Sequence, residues 1–368
     1  MKVRLGDVCD KASSSIIQKS LEGHEGKYPI YGASGLIKYV DFYQREKPYI
    51  AVVKDGAGIG RVMKLPAYSS VIGTMQYIIP NEKVDINYLV YSMEYMNLAK
   101  YFSGATIPHI YFRDYQKEPL NLPEIKVQKK IGGILSNIEK LIAFRNQELS
   151  KFDQLVKSRF IELFGDPVSN DKFWNLAILQ DVTSKIGSGA TPKGGKSSYQ
   201  KEGIPFIRSM NVHDEVFLSK DLAYLSDKQA KQLENVIVKE NDVLLNITGA
   251  SVARSCIVPK TVIPARVNQH VSIIRCIPKY LNPEFLNKLF LHHRYKNLLL
   301  SLGEAGGATR QAITKSQLEK LQIILPPLTL QNEFADFVQQ VDKSKLAVQK
   351  SLEKLEILKK SLMQQYFG

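Results

Sequence analysis

The sequence predicts an α+β fold: two globular domains separated by two long helices packed as an antiparallel coiled coil, with an internal pseudo-two-fold repeat. Three observations carry that prediction. First, Leu122-Pro123 with Gln128 recurs 203 residues later as Leu325-Pro326 with Gln331. The offset then holds without a gap, taking Lys140 to Lys343, Leu149 to Leu352, Lys157-Ser158 to Lys360-Ser361 and Phe164-Gly165 to Phe367-Gly368. It also runs backwards, from Gly104-Ala105-Thr106 to Gly307-Ala308-Thr309. Second, each segment led by Leu-Pro runs for about 40 residues without an internal proline and carries apolar residues at heptad spacing. Third, Gly165-Asp166-Pro167 stops the first helix, so the chain must build a second globular domain before the second helix begins.

Residues 1–123 form the expected first domain. A β-branched run, Ile50 to Val53, precedes the Gly-rich turn Asp55-Gly56-Ala57-Gly58-Ile59-Gly60-Arg61, and Asn87–Tyr101 has helical spacing. Residues 124–165 form the first long helix. Its a row is wholly apolar (Leu135, Ile142, Leu149, Val156, Leu163), whereas its d row (Ile131, Ile138, Arg145, Phe152, Arg159) is interrupted by arginine. Residues 166–325 form the second domain, which echoes the first. Leu179-Gln180-Asp181-Val182 resembles Leu5-Gly6-Asp7-Val8, and Gly203-Ile204-Pro205-Phe206-Ile207 resembles Lys27-Tyr28-Pro29-Ile30-Tyr31. Thr248-Gly249-Ala250-Ser251-Val252-Ala253-Arg254 follows the run Val243 to Ile247 as the first turn follows its own, and Pro283–Leu300 has helical spacing. Residues 326–368 form the second long helix, whose d row (Phe334, Val341, Val348, Leu355, Leu362) is complete and whose a row (Val338, Lys345, Leu352, Lys359, Tyr366) is interrupted by lysine. Neither helix makes a good homodimer seam, and the two fit each other. Each would be roughly 60 Å long at 1.5 Å per residue.

Composition narrows the function. With 44% apolar and 23% charged residues the chain is an ordinary globular protein, and nothing in it approaches the ~20 apolar residues needed to span a bilayer. Cys9, Cys256 and Cys276 show no paired spacing, which excludes a disulfide scaffold and points to reduced thiols in the cytoplasm. The net charge is +14, of which +7 falls in residues 165–325, so a polyanion such as nucleic acid is the expected partner.

Catalytic signatures are missing. Ala190-Thr191-Pro192-Lys193-Gly194-Gly195-Lys196-Ser197 has loose phosphate-loop spacing, but polar residues precede it and Pro205 closes off any long helix after it. Gly56-Ala57-Gly58-Ile59-Gly60 lacks the rest of a dinucleotide-binding unit, and no Asn/Asp-Pro-Pro-aromatic motif of amino-methyltransferases is present. His292-His293 lie adjacent rather than at metal-ligand spacing. Two rival readings stay open: a stand-alone nuclease or methyltransferase, and a coiled-coil scaffold.

One ordered set of motifs runs through the chain: Gly189-Ala190-Thr191-Pro192, Gly203-Ile204-Pro205-Phe206-Ile207-Arg208, Asn241-Asp242-Val243-Leu244, Gly249-Ala250, Asn268-Gln269-His270, Gly307-Ala308-Thr309-Arg310-Gln311 and Leu325-Pro326-Pro327-Leu328 with Gln331. In order and spacing it resembles the specificity subunit of type I restriction-modification systems. The family usually has Glu-Gln where this chain has Leu330-Gln331, and the first domain lacks the Gly-x-Thr-Pro element. The resemblance implies that residues 1–123 and 166–325 are target-recognition domains that read an asymmetric, bipartite double-stranded DNA site, with residues 124–165 and 326–368 as spacer helices. It implies no catalysis and no cofactor in this chain. S-adenosylmethionine would sit on adenine-methyltransferase modification subunits, two of them docked on the helices, and ATP with Mg on restriction subunits.

Basic and amide side chains on loops beside glycine suit bases and phosphates. That criterion selects Lys193, Lys196, Arg208, Asn211, Arg254, Arg310 and Gln311 in the second domain, and Lys38, Lys54, Arg61 and His109 in the first. Helix packing is expected from Ile131, Leu135, Ile138, Ile142, Leu149, Phe152 and Val156 against Phe334, Val338, Val341, Val348, Leu352, Leu355 and Leu362.

Overall fold

The computed structural model describes residues 1–104, 108–304 and 311–368. The chain divides into two compact units, one of Met1–Leu149 with Ala347–Gly368 and one of Ser150–Leu346.

In the first unit β1 (Lys2–Arg4) pairs antiparallel with β9 (Pro119–Asn121). A four-stranded antiparallel sheet has the order β2 (Cys9–Ser13), β8 (Met75–Pro80), β5 (Tyr49–Val53), β6 (Val62–Leu65). A three-stranded sheet has the order β4 (Gly35–Val40), β3 (Tyr28–Gly32), β7 (Ser70–Val71), with β3 and β7 parallel. Strand β5 explains the layering. All five of its residues are apolar and all are buried, so alternation sends one set to each face. Ile50 and Val52 meet the core beneath α1 (Ile86–Tyr95), whereas Tyr49, Ala51 and Val53 join a second core with Leu65, Val71 and Tyr77. A short helix, α2 (Phe112–Tyr115), leads into β9, after which α3 (Ile125–Phe164) begins.

The second unit repeats this topology. β10 (Leu176–Ile178) pairs with β19 (Gln322–Ile324). The first sheet runs β11 (Thr183–Ser188), β18 (Val271–Cys276), β15 (Val243–Asn246), β16 (Ser255–Ile257). The second runs β13 (Ala223–Leu225), β12 (Ile204–Ile207), β17 (Ala265–Val267), with β12 and β17 again parallel and one added strand, β14 (Ile237–Val238). The helices are α4 (Asp227–Lys231), α5 (Pro283–Leu291), α6 (His293–Glu304), α7 (Lys315–Glu319) and α8 (Leu328–Phe367). The extended backbone of His292 separates α5 from α6, so the helical stretch expected over Pro283–Leu300 is two helices. Similarly α1 ends at Tyr95, and Asn97 turns left-handed before a 3₁₀ turn at Leu98–Tyr101.

The buried glutamines Gln128 and Gln331 give the Leu-Pro repeat its physical meaning. Gln128 Oε1 accepts from the Asp85 amide at 2.9 Å, and its Nε2 donates to the carbonyls of Lys83 and Pro123. Gln331 does the same: Oε1 accepts from the Asn282 amide at 2.9 Å, and Nε2 donates to Tyr280 and Pro326. Asp85 and Asn282 are in turn the N-caps of α1 and α5. One side chain therefore ties the Leu-Pro turn, the first turn of the long helix and the start of the domain helix together.

Within each unit a segment of α3 runs antiparallel to a segment of α8. In the first unit Ile131, Leu135 and Ile138 are buried, and Gly132 lets α1 come close, since a Cβ there would lie 2.9 Å from the Tyr88 amide nitrogen. The end of α8 enters the same core: Met363 is buried, and the Phe367 ring lies 5.2 Å from Tyr88. Lys359 reaches Glu139 at 2.5 Å and Glu94 at 3.5 Å. In the second unit Val156, Phe160 and Phe164 are buried with Phe334, Val338 and Val341. Lys345 pairs with Asp153 at 2.5 Å and Arg159 with Glu333 at 2.6 Å. Three of the charged interruptions, Arg159, Lys345 and Lys359, are thus half-buried cations that reach more exposed carboxylates. Arg145 pairs with Glu148 on its own helix, and Ile142, Leu149, Phe152, Val348, Leu352, Leu355 and Leu362 are half-buried. Heptad spacing alone did not single out Phe160 and Phe164, which meet both the domain helix, at Phe285, and the partner helix, at Phe334.

Candidate nucleic-acid interface

The β15–β16 hairpin of the second unit turns through Thr248–Arg254. Its backbone is held on three sides. The Ile247 amide donates to His270 at 3.0 Å, the Gly249 amide to Gln311 at 2.9 Å, and the Ile313 amide to Ile247 at 2.8 Å. Positive φ at Gly249 (72°) and Ala253 (64°) makes the turn. An open concavity of about 600 Å³ lies beside it, lined by Ser209, Met210, Thr248 to Ser251, Arg254, His270, Gln311 and Ala312. Thr248 Oγ1 and His270 Nδ1 share a hydrogen bond at 2.5 Å, Gln311 Nε2 donates to Glu304 at 2.8 Å, and Arg254 Nη1 is 3.5 Å from His213 Nδ1.

The β5–β6 hairpin of the first unit has the same scaffold. The Lys54 amide donates to Thr74 at 3.0 Å, the Gly56 amide to Pro108 at 2.9 Å, and the Ile110 amide to Lys54 at 3.0 Å. Gly56 and Gly60 have positive φ, and a Cβ at Gly60 would lie 2.4 Å from the Ala99 nitrogen, so only glycine fits. The side chains differ from those of the second unit. Asp55 is held by His109 Nδ1 and, at 3.1 Å, by Lys54. His109 packs 4.0 Å from Tyr111, over which the Arg113 guanidinium sits at 4.6 Å, and Arg61 donates to the Ala33 carbonyl at 2.7 Å.

The remaining candidates are placed as follows. Lys193 and Lys196 are exposed around a 3₁₀ turn, Gly195–Ser198. A strand, β11, does precede this phosphate-loop-like segment, but it is polar and only partly buried, and a 3₁₀ turn rather than an α-helix follows directly. Lys38 is half-buried and donates to the Leu21 carbonyl at 3.2 Å. Arg208 is half-buried, its guanidinium bonded to the Asp221 carbonyl and 5.5 Å over the Tyr199 ring. Arg310 lies outside the described residues. Asn211 must be withdrawn as a DNA contact. It is fully buried, its Oδ1 accepts from the Arg208 amide, and its Nδ2 donates to Leu218 and Lys220, so it shapes the loop from inside.

Thr248, His270, Tyr111 and Arg113 were missed as candidates. His270 belongs to the Asn268-Gln269-His270 motif, but 22 residues separate it from Thr248 in sequence. Burial pushes the thiols of Cys9, Cys256 and Cys276 up to about 12, so they are poor nucleophiles. Among the described residues no group of His, Cys, Asp and Glu could hold a metal, and no helix is long and apolar enough to cross a membrane.

The profile of the type I restriction modification DNA specificity domain matches residues 1–152 and 172–358. The chain is similar to the type I restriction enzyme MjaVIII specificity subunit of Methanocaldococcus jannaschii, at 22% identity over 98% of this chain and 90% of that protein. It is also similar to the MjaIX specificity subunit of the same organism, at 22% identity over 78% and 69%. In fold it resembles the crystal structure of the type I restriction-modification system S subunit from M. genitalium, with a TM-score of 0.69 at 14% identity, covering 100% of this chain and 96% of that one.

Proposed function

Because the chain belongs to the type I restriction-modification DNA specificity family, and is therefore a DNA-recognition component rather than an enzyme, we propose that it reads a two-part double-stranded DNA target, one part with each unit. The observation that carries this reading is the pair of hairpins at Asp55–Arg61 and Thr248–Arg254, alike in backbone hydrogen bonding and unlike in side chains. Two readers on one scaffold with different side chains suit an asymmetric site. Lys193, Lys196 and Lys54 would meet phosphates, Gln311 would meet base edges, and Arg61 and Arg254 would add further contacts to the DNA. The long helices α3 and α8 act as the ruler that sets the gap between the two parts.

Exposed apolar residues on these helices support docking of modification subunits: Leu141, Phe144, Ile357 and Leu358 in the first unit, and Leu155, Ile161 and Leu346 in the second. S-adenosylmethionine would be held by those methyltransferase subunits and ATP with Mg by restriction subunits, all in the cytoplasm. The test maps adenine methylation across the genome of cells expressing the methyltransferase with and without this chain. A two-part motif with a fixed gap, seen only with the chain present, is the expected result. No such motif from soluble, associated proteins would refute the reading.

A further inference from the structure

Superposing the two hairpins through their backbone hydrogen bonds aligns residues that no sequence offset pairs consistently. Val53 and Asn246 both close the hairpin, bonding to Arg61 and Arg254 respectively. Lys54 corresponds to Ile247, because each donates to the neighbouring strand segment, at Thr74 and His270, and each accepts from an isoleucine, Ile110 and Ile313. Gly56 corresponds to Gly249, whose amides bond to Pro108 and Gln311. The bridges Asp55 with His109 and Thr248 with Ala312 complete the match. The hairpins are thus offset by 193 residues, and the bridging segments that support them, 108–110 and 311–313, by 203, so insertions separate them while the hydrogen-bonded frame stays the same.

From this frame we infer that the reader positions divide into two classes, an inference that rests on the DNA-reading function proposed above. Arg61 and Arg254 are identical and end the two hairpins, so they do the same work in both units: they attach the loop to the sugar-phosphate backbone. The positions that differ sit on the same frame and set base choice: Asp55 against Thr248, Thr74 against His270, Pro108 against Gln311 and His109 against Ala312. The chemistry of the two sets is opposed. Asp55, fixed by His109 and Lys54, offers acceptors, which suits an exocyclic amino group such as that of cytosine. Thr248, His270 and Gln311 offer both donors and acceptors around the open concavity, and the Gln311 amide suits the paired donor and acceptor of an adenine edge.

The experiment uses the full chain co-expressed with its modification subunit, with genome-wide methylation mapping and duplex binding as readouts. His270→Ala and Gln311→Ala should relax a base in one part of the motif by about tenfold or more, leaving the other part and the gap unchanged. Asp55→Asn and His109→Ala should relax the other part. Arg254→Ala should leave the motif intact, weaken binding to target and unrelated duplexes alike, and reduce the slope of log affinity against log salt by about 1. If an alanine variant is insoluble, Gln311→Asn and His270→Asn keep a polar side chain and are read in the same way. A soluble His270→Ala/Gln311→Ala double variant that methylates the unaltered motif at wild-type level overturns the inference, as does one that alters both parts. A wild-type chain that directs no two-part motif overturns the function itself, and this inference with it.

Discussion

Replacing Gln331 with leucine removes three hydrogen bonds at nearly constant volume, which isolates the polar contribution of the buried amide. The Asn282 amide loses its acceptor in a partly buried site beside the fully buried Gln331, and an orphaned buried donor costs about 1–3 kcal/mol. The Tyr280 and Pro326 carbonyls each lose a donor, at 3.2 and 2.8 Å. The Pro326 bond is the fully buried one, so most of the further loss, about 1 kcal/mol, falls there. The total is about 2–4 kcal/mol, which for a unit of this size lowers the melting temperature by about 4–16 °C. Urea unfolding and scanning calorimetry would measure it. Gln331→Glu tests the donor side specifically, because a carboxylate would face two carbonyls. That variant should be worse than leucine at pH 8 and recover as the pH falls, since the protonated acid can again donate to one carbonyl. A loss below about 1 kcal/mol for Gln331→Leu would refute the claim that this amide pins the junction.

Further expectations follow from the helix ends and buried groups. Phe164→Ala should cost about 3–5 kcal/mol in urea unfolding, because the ring is fully buried among Phe160, Phe285 and Phe334; the half-buried Phe367, its repeat counterpart, should cost about half as much when truncated. Lys359→Met should cost about 1–2 kcal/mol after allowing for solvent screening, since Glu139 is 40% exposed. Burial already raises the Glu94 carboxyl against the pull of Lys359. Losing that lysine raises it further, so the folded state binds the proton more tightly and the deficit should shrink as the pH falls through the range just above the ordinary carboxylate value. Alkylation at pH 8 followed by mass spectrometry should label none of Cys9, Cys256 and Cys276 in the native protein and all three after denaturation.

The sequence made the architecture legible because its strongest signals were local or periodic. Heptad rows, the missing prolines and the Leu-Pro-led repeat located two helices observed at Ile125–Phe164 and Leu328–Phe367. The Gly-rich hairpins were legible because positive φ calls for glycine, and Gly56 and Gly249 supply it. What escaped depended on partners distant in sequence. Gln128 and Gln331 were visible as a repeat but not as the bond between a helix and a cap 43 and 49 residues away. His270 meets Thr248 only through strand pairing. Asn211 failed for the opposite reason: an amide beside an arginine on a loop suggests a base contact, and only burial reveals that its bonds are already spent.

The end of α8 supplies Leu362, Met363, Tyr366 and Phe367 to a core whose other members lie between Val3 and Leu135. The first unit is therefore discontinuous, whereas the second is one uninterrupted stretch, Ser150–Leu346. This sets an order of assembly during synthesis. The second unit can complete its core while the chain is still being made, but the first must wait, with Tyr88 and its neighbours unsealed, until residues 347–368 have left the ribosome. Closing it then requires joining segments about 200 residues apart, a long-range step that slows folding.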